Sequence, residues 1–403
     1  MKILFITGLY PKDKEEELKI YSGGLLHNAP NVYQWAVIDG LVRNRADFSV
    51  VSCPFLPAFP IRYKKLYTPY SPIFYNGKMI GEMIPYNDLL VYKTMSIENA
   101  LRNYVRQWIY NNKQSDDKLI VLTYQPYHPF IAALKHFQRN HEICVASIVT
   151  DLVDDMLNFG DNQGPLKRIQ CYYEKIKTKY QYKYIDKFIL LTKAMKDFIP
   201  QAIGHSIVIE GISNTQIQLE HKNNTRIKTI LYTGILESYT CVDDLVMAFM
   251  KISNSNIRLV ICGSGPLKTM IEEAALLDNR IDFKGLVSRE EALILQREST
   301  VLVNPRKPNG GLTKYSFPSK TMEYLSSGTP MIGYKLEGIP EEYFDYFYTI
   351  DSLDENALID KIIEVISLSD EKLFAKAKSA YNFIVEKKSS YSQVKKIINF
   401  LEE

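Results

Sequence analysis

The chain has 403 residues, of which 46% are hydrophobic, 24% charged and 12% aromatic. That balance argues against a disordered, collagenous or coiled-coil chain, and the length predicts two domains. The formal charge of +3 hides an asymmetry: residues 1–205 hold 26 Lys and Arg against 19 Asp and Glu, a net of +7, and residues 206–403 hold 23 against 27, a net of −4. The two halves are therefore expected to face different environments or partners. The five cysteines (Cys53, Cys144, Cys171, Cys241 and Cys262) form no paired or His-flanked spacing, so neither a disulfide framework nor a structural zinc site is expected, and a reducing cytoplasm fits best. No apolar run approaches the length of a membrane-spanning helix, and the apolar start is too short for a signal peptide and reads as a strand.

Short apolar runs at 2–7, 48–52, 119–123, 145–150 and 187–191 predict strands, and the patterns at 32–41 and 129–137 predict helices. The second half repeats the rhythm, with strands expected at 229–233, 258–262, 281–284, 301–304 and 331–334. Helices are expected at 242–252, 267–277, 290–298, 319–326, 371–386 and 391–401, one of them opened by the capping box Ser288 to Glu291. Alternation of strands and helices predicts parallel sheets covered on both faces, hence an α/β protein of two Rossmann-like, doubly wound domains. The loop-like stretch 206–225 marks the switch. We expect domains over 1–205 and 206–388, with a final helix over 389–403 that packs back on the first domain. Ligands of such sheets bind beyond the carboxyl ends of the strands, so an interdomain cleft is the expected site.

The most informative segment runs from Tyr315 through Ser316, Phe317, Pro318, Ser319, Lys320, Glu323 and Gly328 to Pro330. It reads as a loop, a helix and a tight exit. Pro318 suits the first turn, where a missing N–H costs nothing, and the free N–H groups there favour an anion. Lys320 and Glu323 share one helix face, so a cation can meet a phosphate while a carboxylate accepts from ribose hydroxyls. The same spacing also suits a capped surface helix with a Lys–Glu pair. Upstream, Gly263, Ser264 and Gly265 follow a strand and allow backbone to approach a ligand, although a tight strand–helix turn needs them equally. In the first half, Gly23 and Gly24, beside His27, are a candidate diphosphate or acceptor loop. Asp151 ends a strand and is placed to orient an acceptor hydroxyl or assist proton removal, and His128 follows another strand. A helix cap or plain loop would use both residues as well.

The Tyr315–Pro330 segment resembles the nucleotide-sugar motif of retaining glycosyltransferase family 4, in the exopolysaccharide and capsule branch that carries Phe-Pro-Ser-Lys. The resemblance implies the GT-B fold and places the family's second glutamate at Glu323, on the nucleotide ribose; the first falls on Tyr315. Leu231 to Leu236 resemble the first strand and turn of the donor domain, with Gly234 matching. Ile235 and Thr240 occupy the positions where the family often carries a diphosphate-binding Arg and Lys. We therefore expect Lys320, the helix start at Ser319 and Arg306 to neutralise the diphosphate. The stretch 281–288, with Leu286, is similar to the base-binding strand end. Thr150 stands where many members carry a His, while Asp151 matches.

The implied reaction moves a sugar, with retention, from a nucleotide-diphosphate donor, expected to be UDP-linked, to a hydroxyl of a glycan acceptor in exopolysaccharide, capsule or lipopolysaccharide synthesis. No metal or cofactor is expected. Aromatic and basic residues interleave in 55–78 and 167–187, which suits an anionic membrane surface and a polyprenyl-diphosphate-linked acceptor. That places the protein on the cytoplasmic face of the membrane, and no nucleic-acid motif accompanies these stretches. A nucleotide-sugar epimerase of the same architecture and a non-catalytic partner subunit are the alternatives.

Overall fold

The computed structural model describes residues 1–24, 26, 28–113, 117–152, 176–215, 217–219, 227–354 and 356–403. They form two compact units: Met1–Ile212 with Ser390–Glu403, and Ser213–Ser389. The division falls later than residue 205 because the last strand of the first unit lies beyond that point. Counted by unit, the first carries 28 Lys and Arg against 22 Asp and Glu, a net of +6, and the second 21 against 24, a net of −3.

In the first unit the strands are β1 (Lys2–Thr7), β2 (Phe48–Ser52), β3 (Tyr67–Thr68), β4 (Ser71–Tyr75), β5 (Lys78–Met83), β6 (Tyr86–Asn87), β7 (Leu119–Tyr124), β8 (Cys144–Val149), β9 (Lys187–Leu190) and β10 (Ser206–Val208). Eight of them form one sheet in the order β10-β9-β8-β7-β1-β2-β5-β4, parallel except for the antiparallel β4–β5 hairpin, while β3 pairs with β6 alone. Strand β10 completes this sheet with Ile207 opposite Ile189. The central strands are near-continuous apolar runs, as expected where a parallel sheet is covered on both faces. Ile3, Phe5, Leu122 and Ile148 pack with Val37 and Leu41 of the helix Asn28–Arg43 and with Val394, Ile397 and Leu401 of the helix Ser390–Glu402. Gly40 lets those two helices touch: a Cβ there would lie 2.3 Å from Val394 Cγ2 and 2.4 Å from the Ser390 carbonyl oxygen.

The second unit has a six-stranded, fully parallel sheet of β11 (Lys228–Thr233), β12 (Ile257–Cys262), β13 (Ile281–Gly285), β14 (Val301–Asn304), β15 (Met331–Tyr334) and β16 (Tyr348–Ile350) in the order β13-β12-β11-β14-β15-β16. Its helices include Val242–Met250, Lys268–Leu277, Arg289–Glu298, Ser319–Leu325, Ala357–Ile366 and Asp370–Lys387. The capping box forms half of its pattern, with Ser288 Oγ accepting from the Glu291 N–H at 3.1 Å.

The aromatic and basic stretch 55–78 is not a single outward face. Tyr63 is buried with Tyr10, Leu18 and Leu56, and Phe55 packs on Tyr124, Tyr127 and Phe130. Ile61, Leu66, Tyr67, Tyr70 and Phe74 point outward. Of the stretch 167–187, residues 167–175 lie outside the described residues, Tyr182 and Tyr184 are buried and Tyr180 is exposed. No helix among the described residues is long and apolar enough to cross a membrane.

Asp39 anchors the C-terminal helix to its unit. Its carboxylate accepts from the Ser390 and Tyr75 hydroxyls and pairs with Arg43 Nε at 2.8 Å. Burial pushes its pKa up, but these three donors prevail and hold it below the ordinary value. Its contribution is therefore full above the ordinary carboxylate range and lost as pH falls through the depressed value. Replacement Asp39→Ala is expected to cost about 2 kcal/mol, since it strands buried hydroxyls. Thermal denaturation should register that loss at neutral pH and a smaller one in acid, and limited proteolysis should cut near Ser390 first.

Candidate functional site

In a parallel sheet all carboxyl ends emerge on one edge, and in the second unit that edge is built from glycines. Gly234 follows β11 and Gly263 follows β12; the Gly234 N–H donates to the Cys262 carbonyl at 2.8 Å, and the Gly263 N–H to the Gly285 carbonyl at 2.7 Å. A Cβ on Gly263 would lie 1.8 Å from the Gly234 carbonyl oxygen, and one on Gly265 would lie 2.4 Å from that of Leu236. The φ values of +152° and +156° also suit only glycine. Gly263 and Gly265 thus lock two loops together, the turn requirement that also fits their spacing. Ser264 joins the lock by accepting from the Leu236 N–H at 3.0 Å.

Gly234 has a different neighbour. A Cβ there would lie 1.8 Å from Lys320 Nζ, so the missing side chain is what admits the ammonium to the end of β11. Lys320 is the second residue of the helix Ser319–Leu325, and its Nζ also sits 5.4 Å from the centre of the Tyr232 ring. Among the described residues it makes no ion pair or hydrogen bond. Dehydration lowers its pKa, and nearby Glu323 works in the opposite direction without restoring it.

Glu323, one turn along, is held by a residue that sequence reasoning did not single out. Gln296 is fully buried, and its amide donates to Glu323 Oε1 at 2.6 Å and to Thr233 Oγ1 at 3.0 Å. The Gln296 carbonyl accepts from the Thr329 hydroxyl at 2.7 Å. Tyr324 reaches the same strand end, its hydroxyl accepting from the Thr233 N–H at 2.9 Å. A buried glutamine facing a sheet is the signal that would have flagged it, because a buried amide needs partners.

Arg306, just beyond β14, stands 5.7 Å from the centre of the Tyr239 ring; its Nε is buried without a hydrogen-bond partner, and dehydration lowers its pKa. Its charge also acts on Tyr232, whose hydroxyl is pushed up to about 12, chiefly by burial. Lys320 lies against Tyr232 at the end of β11, and the charge of Arg306 is felt there too. By contrast, Ile235 is exposed, and Thr240 turns its hydroxyl to the Glu237 carbonyl at 2.6 Å.

The rest of the motif divides. Phe317 is buried on Tyr343 with ring centres 5.5 Å apart, so it packs the loop. Pro318 is the capping residue and Ser319 the first helical one. Tyr315 closes the short helix Leu312–Tyr315, and Ser316 is pressed on Gly338, where a Cβ would meet its carbonyl oxygen at 2.2 Å. Leu286 is 79% exposed beyond β13.

In the first unit, Asp151 follows β8 and accepts from Gln125 Nε2 and Thr150 Oγ1, both at 2.9 Å. Dehydration raises its pKa against those donors. His128 opens the helix His128–Arg139; its Nδ1 is buried without a partner, and dehydration, with Lys177, pushes its pKa down to about 4. It is neutral at pH 7 and is not an acid there. Gly23 and Gly24, with φ of +72° and +82°, stop the helix Glu15–Tyr21: the Gly24 N–H donates to the Lys19 carbonyl at 2.9 Å. That gives them a structural task at the helix end. His27 lies outside the described residues. Among the described residues no three His, Cys, Asp or Glu side chains gather as a cation site.

Two parallel-sheet, Rossmann-like bodies define the class: this is the GT-B architecture of glycosyltransferases. Residues 213–382, nearly all of the second unit, match the family described as glycosyl transferases group 1. An uncharacterized glycosyltransferase of Methanocaldococcus jannaschii is 24% identical over 255 residues, covering 58% of this chain and 63% of the relative. The chain thus spans less than two thirds of that relative's length. Among solved structures, the sucrose-phosphate synthase of Thermosynechococcus elongatus is similar at 14% identity and a TM-score of 0.61, covering 100% of this chain and 98% of that one. HepE of Anabaena, in complex with UDP, is similar at 12% identity and a TM-score of 0.57, covering 100% of both chains.

The glycine edge sorts by substitution. Gly263→Ala must move backbone and is expected to cost about 3 kcal/mol. Gly285→Ala, where φ is +65° but a Cβ meets nothing within 4 Å, should cost only about 1–2 kcal/mol. Chemical denaturation of the two variants measures the difference, and equal losses would contradict the loop lock.

Proposed function

We propose that the protein is a retaining glycosyltransferase of the family 4 type, moving a sugar from a UDP-linked donor to a hydroxyl of a glycan acceptor. The observation that carries this reading is Lys320: a dehydrated ammonium with no hydrogen bond or ion pair among the described residues, seated against Gly234 at a strand end, with Glu323 oriented one turn away. The match of residues 213–382 to group 1 glycosyl transferases and the UDP-bound state of HepE support it.

In this reading Glu323 accepts from the ribose hydroxyls through its unengaged Oε2. Lys320 and Arg306 hold the diphosphate, where Ile235 and Thr240 carry no charge. Gly234 gives backbone access, and Ser264, Leu286 and Ser319 border the nucleotide. The bond from the anomeric carbon to the phosphate oxygen breaks as the acceptor oxygen bonds to that carbon on the same face, and the acceptor proton passes to the departing phosphate oxygen. The main task is then electrostatic stabilisation of the leaving diphosphate by charges already in place. A low-dielectric site makes two poorly hydrated cations effective. Asp151, aimed by Gln125 and Thr150, orients the acceptor hydroxyl, and neutral His128 lines that side.

We assign the acceptor to a lipid-linked glycan and the protein to the cytoplasmic face of a membrane. The net +6 of the first unit and its outward apolar side chains support this.

A thermal-shift screen of nucleotide sugars should single out one UDP-sugar, since a ligand bound by the folded state raises its stability. With that donor, proton NMR of the product should show the donor's anomeric configuration retained. Free epimerised sugar without acceptor would mark an epimerase, and no turnover by the single chain a non-catalytic subunit. Donor affinity should fall as pH rises through the lowered value of Lys320, because only the ammonium pairs with a diphosphate.

A further inference from the structure

A cavity of about 290 Å³ opens in the first unit, lined by residues 54–57, Arg62, Lys93, Ile97 and Tyr127. Residues 54–57 follow β2 and Tyr127 follows β7, so the cavity lies at the carboxyl ends of a parallel sheet, where such folds take ligands. It is a built site. Lys93 donates to the Leu56 carbonyl at 2.8 Å and the Pro57 carbonyl at 3.2 Å, and pairs with the buried Asp88 at 2.7 Å. That ammonium is fully used in fixing the wall. Arg62 is not: its guanidinium has no acceptor or acidic partner among the described residues, and the side chain is exposed at the rim.

The rim around Arg62 is apolar. Ile61, beside Arg62, is 68% exposed; Val91 and Tyr92, beside Lys93, are 86% and 45% exposed. The two segments are brought together by the bridge between Phe59 and Leu89, by the Leu90 N–H donating to the Phe59 carbonyl at 3.0 Å, and by the β3–β6 pair. Leu66 and Leu90 extend the patch. Scattered exposed apolar residues need no explanation, but a cluster beside a cavity with an arginine at its rim does.

We propose that this cavity takes the phosphate-bearing head of an amphiphilic acceptor. Arg62 forms a bidentate pair with a lipid-linked phosphate or diphosphate, and the lipid chain lies on Ile61, Leu66, Leu90 and Val91. The inference rests on the glycosyltransferase reading and assigns the site that holds its acceptor's phosphate. A phosphate ester suits Arg62 because the planar guanidinium offers two parallel donors, and the neighbouring apolar surface suits a chain that free phosphate lacks.

Isothermal titration of the full chain with monomeric decyl phosphate, decyl glucoside and inorganic phosphate tests this. Decyl phosphate should bind more tightly than either control. Arg62→Ala should weaken it by about tenfold or more, with Arg62→Lys in between, because lysine keeps the charge and loses the fork. Val91→Ser should weaken decyl phosphate and leave inorganic phosphate unchanged. UDP titrated into the same samples separates the two claims. If UDP binds but decyl phosphate does not, or if Arg62→Ala leaves its affinity intact, this inference falls and glycosyl transfer stands. If neither binds, both fall. Binding to phosphatidylglycerol vesicles that Arg62→Ala leaves intact, with no decyl phosphate bound, would assign the patch to the bilayer itself and overturn the cavity's role.

Discussion

A lysine ammonium seated where water is scarce, against the one residue type that leaves room for it, is the constraint on which the second unit turns. Lys320 reaches the end of β11 only because Gly234 has no side chain. Dehydration disfavours its charge, and nearby Glu323 offsets that only in part. A cation kept in this state is held ready for an anion, since the cost of stripping its water is met by the fold and not by the ligand. The loops of β11 and β12 interlock through Gly263 and Gly265, so the ammonium faces a stiff backbone.

The same strand end carries the remaining machinery. Tyr324 and Glu323, neighbours on one short helix, are tied to Thr233 directly and through Gln296, so the helix cannot turn without breaking buried hydrogen bonds. The helix is only seven residues long, and it is the Lys320 side chain rather than the helix start that brings charge to this edge. Arg306 adds a second cation from β14. That answers how a net-acidic unit presents local positive charge: Lys320 sits against the Tyr232 ring, and the Arg306 charge acts on the same tyrosine.

Much of the fold was legible because parallel strands are short apolar runs with helices between them. β1, β2 and β14 and the helix that follows Ser288 lie where the pattern put them. The helix Lys93–Asn112 was not foreseen, although Ile97, Leu101, Val105 and Ile109 recur every four residues, because polar side chains fill the intervals. β3 and β6 are two residues each and have no periodicity to read. At the site, Lys320, Glu323 and Gly234 were visible as spacing, but their convergence was not: the space at Gly234 and the reach of Gln296 across 27 residues are three-dimensional facts. Phe317 and Gly23 show the converse, motif residues whose evident work is packing and helix termination. The stretch 55–78 divides in a way its composition does not show: Phe55 and Tyr63, ahead of the strands, pack inward, whereas Tyr67, Tyr70 and Phe74 point outward.

Titration of UDP and of uridine into the wild-type chain and Lys320→Ala tests most directly the proposal that Lys320 meets the diphosphate of the donor. Removing a charge-assisted pair from a dehydrated site should weaken UDP by about tenfold to a hundredfold. Uridine, which has no phosphate, should bind both proteins alike. Equal losses for the two ligands, or an unchanged affinity for UDP, would contradict the claim.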